Sequence, residues 1–203
     1  MSTDWEQHYQ DGHMPWDKGS ASPPLIDWVS KNPGLLVGEV LVPGCGLGHD
    51  VRAINGLESN ASVLGIDISA KAIEMAEGIV SVEQEKYLEA DLFTMSELYT
   101  YRFDCVWEHT CFCAIDPAKR DDYVDAVFGL LKPEGMLLAI FYLNPYDDEH
   151  QPGGRPPHGC SIEEIQQRFT EAGNFRIVEE YTPKVSYPGR EGLEYLVQFS
   201  KAK

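Results

Sequence analysis

The segment Glu39-Val-Leu-Val-Pro-Gly-Cys-Gly-Leu-Gly-His-Asp50 is the most informative part of the chain. A short apolar run ends at Pro43, three glycines occupy alternate positions after it, and a helical pattern begins near His49. A second apolar run ends in Gly65-Ile-Asp67, which places Asp67 19 residues after the last glycine. Glycines let a ligand approach the backbone, and a carboxylate about 20 residues further on binds ribose hydroxyls. The pattern predicts a nucleotide-type site on a parallel sheet, with the glycine spacing GxGxG rather than GxGxxG.

Strand-like and helix-like segments alternate along the rest of the chain. Strands are predicted at residues 40–42, 63–67, 85–90, 103–107, 135–142, 176–182 and 194–200. Helices are predicted at residues 25–29, 49–55, 69–80, 117–131 and 161–172. Because crossover connections separate the first five strands but not the last two, we expect an α/β fold with a doubly wound, seven-stranded, mostly parallel sheet. Residues 1–203 are expected to form one domain.

The composition is that of an ordinary globular protein, with 203 residues of which 43% are hydrophobic and 24% are charged. A formal net charge of −17 argues against nucleic-acid and anionic-membrane partners, since phosphates require a basic surface. No apolar stretch approaches the ~18 residues that span a bilayer, and the acidic N-terminal region does not resemble a signal peptide. Five cysteines without a CxxC pair are typical of a reducing compartment. We therefore expect a cytoplasmic monomer.

The cysteine spacing does not favour a metal site. Cys111-Phe-Cys113 resembles a ligand pair, but a closed zinc site has four ligands and the chain offers no second pair. Cys45 lies inside the glycine turn, where a small side chain packs. We interpret all five cysteines as structural or incidental and predict no metal.

Acidic side chains follow the first four predicted strands. They are Asp50, Asp67, Asp91 and Glu108. The carboxyl ends of parallel strands meet at one edge of the sheet, where such folds bind ligands at the switch in strand order. Asp67 suits a ribose, and Asp91 suits the amine of an adenine.

These features resemble the class I S-adenosylmethionine-dependent methyltransferases, and among them the thiopurine methyltransferase superfamily. The chain is most similar to the plant-type halide and thiol methyltransferase branch. Five motifs spread over nearly the whole chain carry the resemblance: Trp5-Glu-Gln-His-Tyr9, Met14-Pro-Trp-Asp-Lys-Gly19, Leu41-Val-Pro-Gly-Cys-Gly-Leu-Gly-His-Asp-Val51, Thr110-Cys-Phe-Cys-Ala-Ile-Asp-Pro-Ala-Lys-Arg120 and Leu130-Leu-Lys-Pro-Glu-Gly135. The resemblance implies a Rossmann-like methyltransferase fold and S-adenosyl-L-methionine as the cofactor.

The resemblance also implies roles for individual residues. An N-terminal cover, residues 1–32, is expected to fold aromatic rings over the cofactor, because a ring face attracts a sulfonium cation. The expected cofactor-binding residues are Trp5, Tyr9, Trp16, Gly44, Gly46, Asp67, Ile68, Asp91, Leu92 and Glu108. Tyr9 replaces a tryptophan common in the plant branch, and Glu108 matches an acid near the methionine amino group. Phe112, Phe141 and Tyr142 match positions on the acceptor side.

A loop rich in proline and glycine, residues 144–159, is predicted to act as a lid. The family usually has Gly-Gly-Pro-Pro followed by an aromatic residue there, whereas this chain reads Gly153-Gly-Arg-Pro-Pro-His158. Arg155 is predicted to contact an acceptor that carries a negative charge, with relief of crowding among surface acids as the alternative. His158 and Tyr142 are predicted to assist in removing a proton from the acceptor, with a solvated surface position as the alternative for His158.

The sequence thus predicts methyl transfer to a small soft nucleophile, with a thiol or another sulfur acceptor as the first choice. A halide or thiocyanate acceptor, which has no proton to lose, is an alternative, and a non-catalytic S-adenosylmethionine-binding module is another. A nicotinamide oxidoreductase would carry the GxGxxG spacing. An oxygen or nitrogen methyltransferase would typically carry an Asp/Asn-Pro-Pro-Tyr motif where this chain reads Glu108-His-Thr-Cys.

Overall fold

The computed structural model describes residues 3–79, 85–144, 154–171 and 174–202. Its strands are β1 Gly38–Pro43, β2 Ala61–Asp67, β3 Lys86–Glu89, β4 Phe103–His109, β5 Leu131–Tyr142, β6 Phe175–Tyr181 and β7 Glu194–Lys201. Its α-helices are α1 Trp5–Gln10, α2 Pro23–Lys31, α3 His49–Leu57, α4 Ala70–Glu77, α5 Leu92–Met95, α6 Arg120–Leu130 and α7 Ile162–Thr170. A short 3-10 helix, Pro117–Lys119, precedes α6.

The strands form one sheet in the order β3-β2-β1-β4-β5-β7-β6. The pairs from β3 to β5 are parallel, and β7 runs antiparallel between β5 and β6. The predicted doubly wound, seven-stranded sheet is confirmed. The strand order reverses between β1 and β4, so the carboxyl ends of these two strands flank the crevice in which such sheets bind ligands.

Helices cover both faces of the sheet, and each face has its own apolar core. Helices α2 and α3 pack on one face around Trp28, Val40 and Trp107. Helices α5, α6 and α7 pack on the other face, where a group of phenylalanines that includes Phe169 and Phe199 fills the space beside β5 and β7. Burial on both faces explains why the central strands read as continuous apolar runs.

Several predicted boundaries were wrong. Strand β4 extends two residues beyond the predicted end, so that Glu108 lies within the strand rather than after it. The helix predicted at residues 117–131 is a 3-10 turn followed by α6, and it ends at Leu130 because Leu131 pairs with Phe103 as the start of β5. The helix predicted to residue 80 ends at Glu77.

Two short helices, α1 and α5, were not predicted, because neither is long enough to show a helical period. The predicted lid falls mostly on residues 145–153, and these residues, like 80 and 172, lie outside the described ranges. Within those ranges, no helix has both the length and the apolar character that a membrane crossing requires.

Candidate functional site

The glycine turn between β1 and α3 is a backbone cradle in which a side chain would be strained. Gly44, Gly46 and Gly48 have φ angles of +58°, +51° and +74°, a region that side chains disfavour. A Cβ on Gly46 would lie 3.0 Å from the Tyr9 hydroxyl, and one on Gly44 would lie 3.1 Å from the Cβ of Cys111. The turn therefore exposes bare backbone at the carboxyl end of β1.

The carboxylate of Asp67 holds this turn in place from the end of β2. One oxygen accepts a hydrogen bond from the Gly46 N–H at 3.0 Å, and the other accepts from the Ser69 N–H at 3.0 Å. Burial raises the pKa of Asp67, and these two bonds oppose that effect. A carboxylate accepts about four hydrogen bonds, so Asp67 keeps acceptor capacity for a ligand hydroxyl.

The N-terminal cover is closed over the turn. Asp4 caps α1 by accepting a hydrogen bond from the Gln7 N–H at 2.9 Å, which starts a helix that the sequence alone did not reveal. Tyr9 is buried, and its hydroxyl accepts a hydrogen bond from the Trp16 indole N–H at 3.3 Å. The Trp5 ring packs edge-on against Trp16 with centroids 5.2 Å apart. Three predicted cofactor-binding aromatics therefore form one cluster.

Glu6 fastens this cover to the beginning of α4. Its carboxylate accepts hydrogen bonds from the Ser69 hydroxyl at 2.6 Å and from the Lys71 N–H at 3.0 Å. These bonds lower the pKa of Glu6. The sequence analysis missed Glu6, and its only signal was its position inside the Trp5–Tyr9 motif.

Of the other residues predicted on the adenine side, one is exposed and two have structural contacts. Ile68 is 57% exposed although it directly follows the buried Asp67, so it presents an apolar surface at the strand end. Asp91 caps α5 by accepting a hydrogen bond from the Phe93 N–H at 2.9 Å, and Leu92 is buried beneath it. Cofactor binding by these three residues stays a prediction.

Both oxygens of the Asp50 carboxylate accept hydrogen bonds from protein groups. One of its oxygens accepts a hydrogen bond from the Ser22 N–H at 2.7 Å. The other lies 2.8 Å from the Trp107 indole nitrogen, which donates to it, and 3.0 Å from Nδ1 of His109. Burial acts to raise the pKa of Asp50, but the neighbouring His109 and these hydrogen bonds lower it on balance. Asp50 thus joins α3 to β4 and to the cover.

Glu108 is also enclosed by protein groups. It is 1% exposed, its Oε1 accepts a hydrogen bond from the Phe112 N–H at 2.8 Å, and its Oε2 accepts one from the Tyr123 hydroxyl. Burial raises the pKa of Glu108 to about 7. The structure shows that Glu108 fixes the loop after β4, and its place near the methionine amino group stays a prediction.

Phe112 and Phe141, predicted to line the acceptor side, lie in the apolar core. Each is 1% exposed, and their ring centroids are 5.2 Å apart. Tyr142, the next residue of β5, is only half-buried, and the Arg190 guanidinium lies over its ring at 4.7 Å. The half-buried Tyr142 ring therefore rests on the buried Arg190, which was missed in the sequence.

The described end of the lid is anchored beside the loop after β4. The His158 N–H donates to the Cys113 carbonyl at 2.6 Å, and the buried Arg120 donates to the His158 carbonyl at 2.9 Å. Burial and the charge of Arg120 lower the pKa of His158, which favours the neutral imidazole. Arg155 is exposed. The catalytic roles of His158 and Tyr142 and the binding role of Arg155 stay predictions.

The cysteines are free thiols throughout the described ranges. Burial raises the pKa of Cys45, Cys111 and Cys113, which makes these thiols unreactive. The described residues contain no group of three or more His, Cys, Asp or Glu side chains arranged to hold a metal ion.

Two solved structures show the class of fold to which the chain belongs. One is a structure from work on the conversion of a disulfide bond into a thioacetal group during echinomycin biosynthesis (TM-score 0.78, 19% identity, covering 100% of this chain and 93% of that chain). Another is the 1,6-didemethyltoxoflavin-N1-methyltransferase of Burkholderia thailandensis, solved with S-adenosylhomocysteine (TM-score 0.72, 19% identity, covering 98% and 86%). The fold is that of the Rossmann-like S-adenosylmethionine-dependent methyltransferases.

Sequence comparison identifies the family within that class. The family model described as thiopurine S-methyltransferase matches residues 1–196, and the chain belongs to that family. It is 34% identical over 202 residues to thiocyanate methyltransferase 1 of Brassica oleracea, covering 97% of this chain and 84% of the relative. It is 30% identical over 202 residues to probable thiol methyltransferase 2 of Arabidopsis thaliana, covering 98% and 84%. The resemblance read from the sequence is confirmed, and the protein is an S-adenosylmethionine-dependent methyltransferase.

The residues present fit this cofactor. The glycine turn is a backbone cradle that any Cβ would fill, Asp67 adjoins it with spare acceptor capacity, and exposed Ile68 follows. The aromatic cover of Trp5, Tyr9 and Trp16 lies against the same turn.

Replacing Gly46 by alanine is expected to weaken binding of S-adenosylhomocysteine, because the new Cβ would press on the Tyr9 hydroxyl and separate the cover from the turn. Gly34→Ala is the matched control, since Gly34 has a φ angle of +79° and open space around its Cβ position. Both variants should lose about 1 kcal/mol of stability from backbone strain. Calorimetry should show reduced affinity only for Gly46→Ala; equal affinities would contradict the contact between cover and cradle.

Proposed function

We propose that this enzyme methylates a small sulfur acceptor, either a thiol or hydrosulfide, with thiocyanate as a closely related acceptor. The observation that carries this proposal is the aromatic cover on the glycine turn, in a chain whose relatives are a thiocyanate methyltransferase and a probable thiol methyltransferase. When bound, S-adenosylmethionine supplies a methyl group on a positively charged sulfur. A halide acceptor and a non-catalytic binding module are not favoured by these relatives.

The cofactor side would be formed by the end of β2, the glycine turn and the N-terminal cover, with further residues after β3 and at the end of β4. Asp67 would bind the ribose hydroxyls, Ile68 would pack against the adenine, and the turn at Gly44 and Gly46 would contact the methionine part through backbone atoms. The rings of Trp5, Tyr9 and Trp16 would enclose the sulfonium, and a ring face attracts such a cation by ~0.5–2 kcal/mol depending on desolvation. Asp91 with Leu92, and Glu108, complete the predicted set.

The acceptor side would lie between Tyr142, Arg190 and the lid residues Arg155 and His158. Methyl transfer by displacement depends on alignment of the reacting atoms and on exclusion of water. The aromatic cover over the glycine turn would contribute to this enclosure. The Arg155 guanidinium would favour an acceptor that is an anion or becomes one, as a thiolate does.

The proposal includes a cellular setting. An acidic protein with free cysteines and a small-molecule acceptor is suited to act as a one-domain monomer in the reducing cytoplasm. Size-exclusion chromatography with light scattering tests the monomer.

An acceptor panel tests the function. Purified protein with S-adenosylmethionine should release S-adenosylhomocysteine with small thiols, hydrosulfide or thiocyanate, and more slowly with iodide or thiopurines. A preference for iodide over every sulfur acceptor would contradict the proposed acceptor class, and cofactor binding without turnover on any acceptor would indicate a binding module.

A further inference from the structure

A second histidine, His109, is better placed for proton transfer than the lid histidine. It is the last residue of β4, at the carboxyl edge of the sheet beside the glycine-turn strand. Its Nδ1 lies 3.0 Å from an Asp50 oxygen, and its ring stacks on Tyr187 with centroids 6.0 Å apart. Its Nε2 is buried and has no hydrogen-bond partner among the residues that the structure describes.

The Asp50 carboxylate determines which nitrogen of His109 carries the proton. Asp50 is an acceptor only, because its pKa is lowered and it is ionised at neutral pH. Nδ1 must therefore donate to Asp50, which leaves a lone pair on Nε2 of the neutral ring. A buried lone pair of this kind is complementary to a ligand that brings a proton.

Further buried polar atoms lie around the same place. Tyr187, which stacks on His109, donates a hydrogen bond from its hydroxyl to the Ser20 carbonyl of the cover at 2.6 Å. Arg190 lies over the Tyr187 ring at 5.5 Å and pairs with Glu194. Within the described ranges, the Ser186 hydroxyl and Oε2 of Glu194 are also buried without partners. His109 thus borders a polar region under the cover that is connected to Tyr142 through Arg190.

We propose that His109, oriented by Asp50, is the catalytic base that takes the proton of a thiol acceptor. The inference rests on the proposed function. The acceptor S–H bond breaks, its proton forms the Nε2–H bond of His109, and the electron pair stays on the acceptor sulfur. A bond from that sulfur to the methyl carbon then forms as the bond between methyl and sulfonium breaks, with its electron pair returning to the sulfonium sulfur. The imidazolium releases its proton to solvent after turnover.

Two ionisable groups face the His109 ring, Asp50 and Tyr187. Asp50 on α3 stabilises the imidazolium, as the buried acid does in other acid–histidine pairs. Tyr187, from the connection between β6 and β7, stays neutral because burial raises its pKa. Arg190 lies over the Tyr187 ring and is paired with Glu194. His158, in contrast, has no carboxylate bonded to its ring in the described residues, and Arg120 opposes its protonation.

The test compares three forms of the full-length enzyme with a thiol and with iodide as acceptors. His109→Gln keeps an N–H donor toward Asp50 but has no basic nitrogen, so turnover with the thiol should fall ~10²-fold while iodide methylation changes little. Raising the pH should partly restore the thiol rate of His109→Gln, because the thiol then ionises in solution. His158→Gln should keep the wild-type ratio of thiol to iodide rates. A thiol-specific loss in His158→Gln instead, or an equal loss with both acceptors in His109→Gln, would overturn the proposal.

The Asp50→Asn variant tests the orienting role. Both Asp50 oxygens accept hydrogen bonds, so the NH₂ group of an asparagine must face either the Ser22 N–H or the pair Trp107 and His109, and in both orientations the negative charge that stabilises the imidazolium is lost. A thiol-specific loss is expected. Asp104→Asn is the matched control, because Asp104 lies at the opposite end of β4 and pairs with Lys132, and it should keep full activity. Equal activities of the two variants would overturn the orienting role.

A measurement that needs no turnover separates this inference from the proposed function. In the complex with S-adenosylhomocysteine, ¹⁵N-histidine NMR should show that adding a thiol shifts the Nε2 signal of His109. An unchanged signal while the thiol binds would overturn the proposal even if the enzyme methylates thiols. If the wild type methylates no acceptor, the proposed function fails. The Nε2 signal would still show whether the thiol contacts His109.

Discussion

Replacing Asp67 by alanine is expected to weaken binding of S-adenosylhomocysteine by about 1.5–3 kcal/mol, the contribution of a charge-assisted hydrogen bond. The structure adds a second reason for a loss of this size. The Asp67 carboxylate holds the Gly46 and Ser69 N–H groups, so its removal also loosens the turn that forms the cradle. Titration calorimetry at a temperature where both proteins are folded measures the effect.

Asp116→Ala is the control for this substitution. Asp116 also accepts a backbone hydrogen bond, from the Ala118 N–H at 2.9 Å, but it caps the 3-10 helix and lies outside the proposed site. Its removal should leave the affinity unchanged. Equal affinities of the Asp67→Ala variant and the wild type would show that the ribose binds elsewhere.

Replacing Glu108 by glutamine is expected to remove a pH-dependent change of about 3 kcal/mol in the free energy of unfolding. Burial raises the pKa of Glu108 to about 7 from its ordinary value of 4.5, and each unit of this difference corresponds to about 1.4 kcal/mol. Because the folded-state pKa is the higher one, the stabilisation is fully present below pH ~4.5 and is lost as the pH rises toward and through 7. Glutamine does not ionise and can still bond Phe112 and Tyr123.

The measurement is the free energy of unfolding of both proteins at several pH values, from chemical denaturation. The difference, Glu108→Gln minus wild type, should rise between pH 4.5 and 8 in favour of the variant. Two parallel curves would show that Glu108 ionises in the folded protein as readily as in the unfolded chain, which would contradict its burial as a protonated acid.

The parts of the fold that follow from local sequence were predictable. The apolar run of β1, the alternate glycines after it and Asp67 at the end of β2 all lie where the pattern placed them. Ser69 and Ser161, at which helices were predicted to begin, are the N-caps of α4 and α7. Each of these signals acts over a few residues, so the sequence alone carries them.

The direction in which a polar side chain points depends on contacts that are distant in sequence. Asp50 and Glu108 follow the same pattern as Asp67, yet Asp50 turns toward Trp107 and His109 and Glu108 turns into the opposite core toward Tyr123. Successive side chains of a strand point to opposite faces of the sheet. Because β4 continues two residues beyond its predicted end, Glu108 and His109 point to opposite faces. The importance of His109 therefore became visible only with the structure.

The measurement that tests the central claim most directly is transfer of an isotopically labelled methyl group. The protein is incubated with S-adenosylmethionine carrying a deuterated methyl group and with a small thiol, and the products are identified by mass spectrometry. We predict a labelled methyl thioether formed in equal amount to S-adenosylhomocysteine, with product formation greatly reduced for the Asp67→Ala variant. Absence of the labelled thioether with every sulfur acceptor, in a protein that binds the cofactor, would contradict the account.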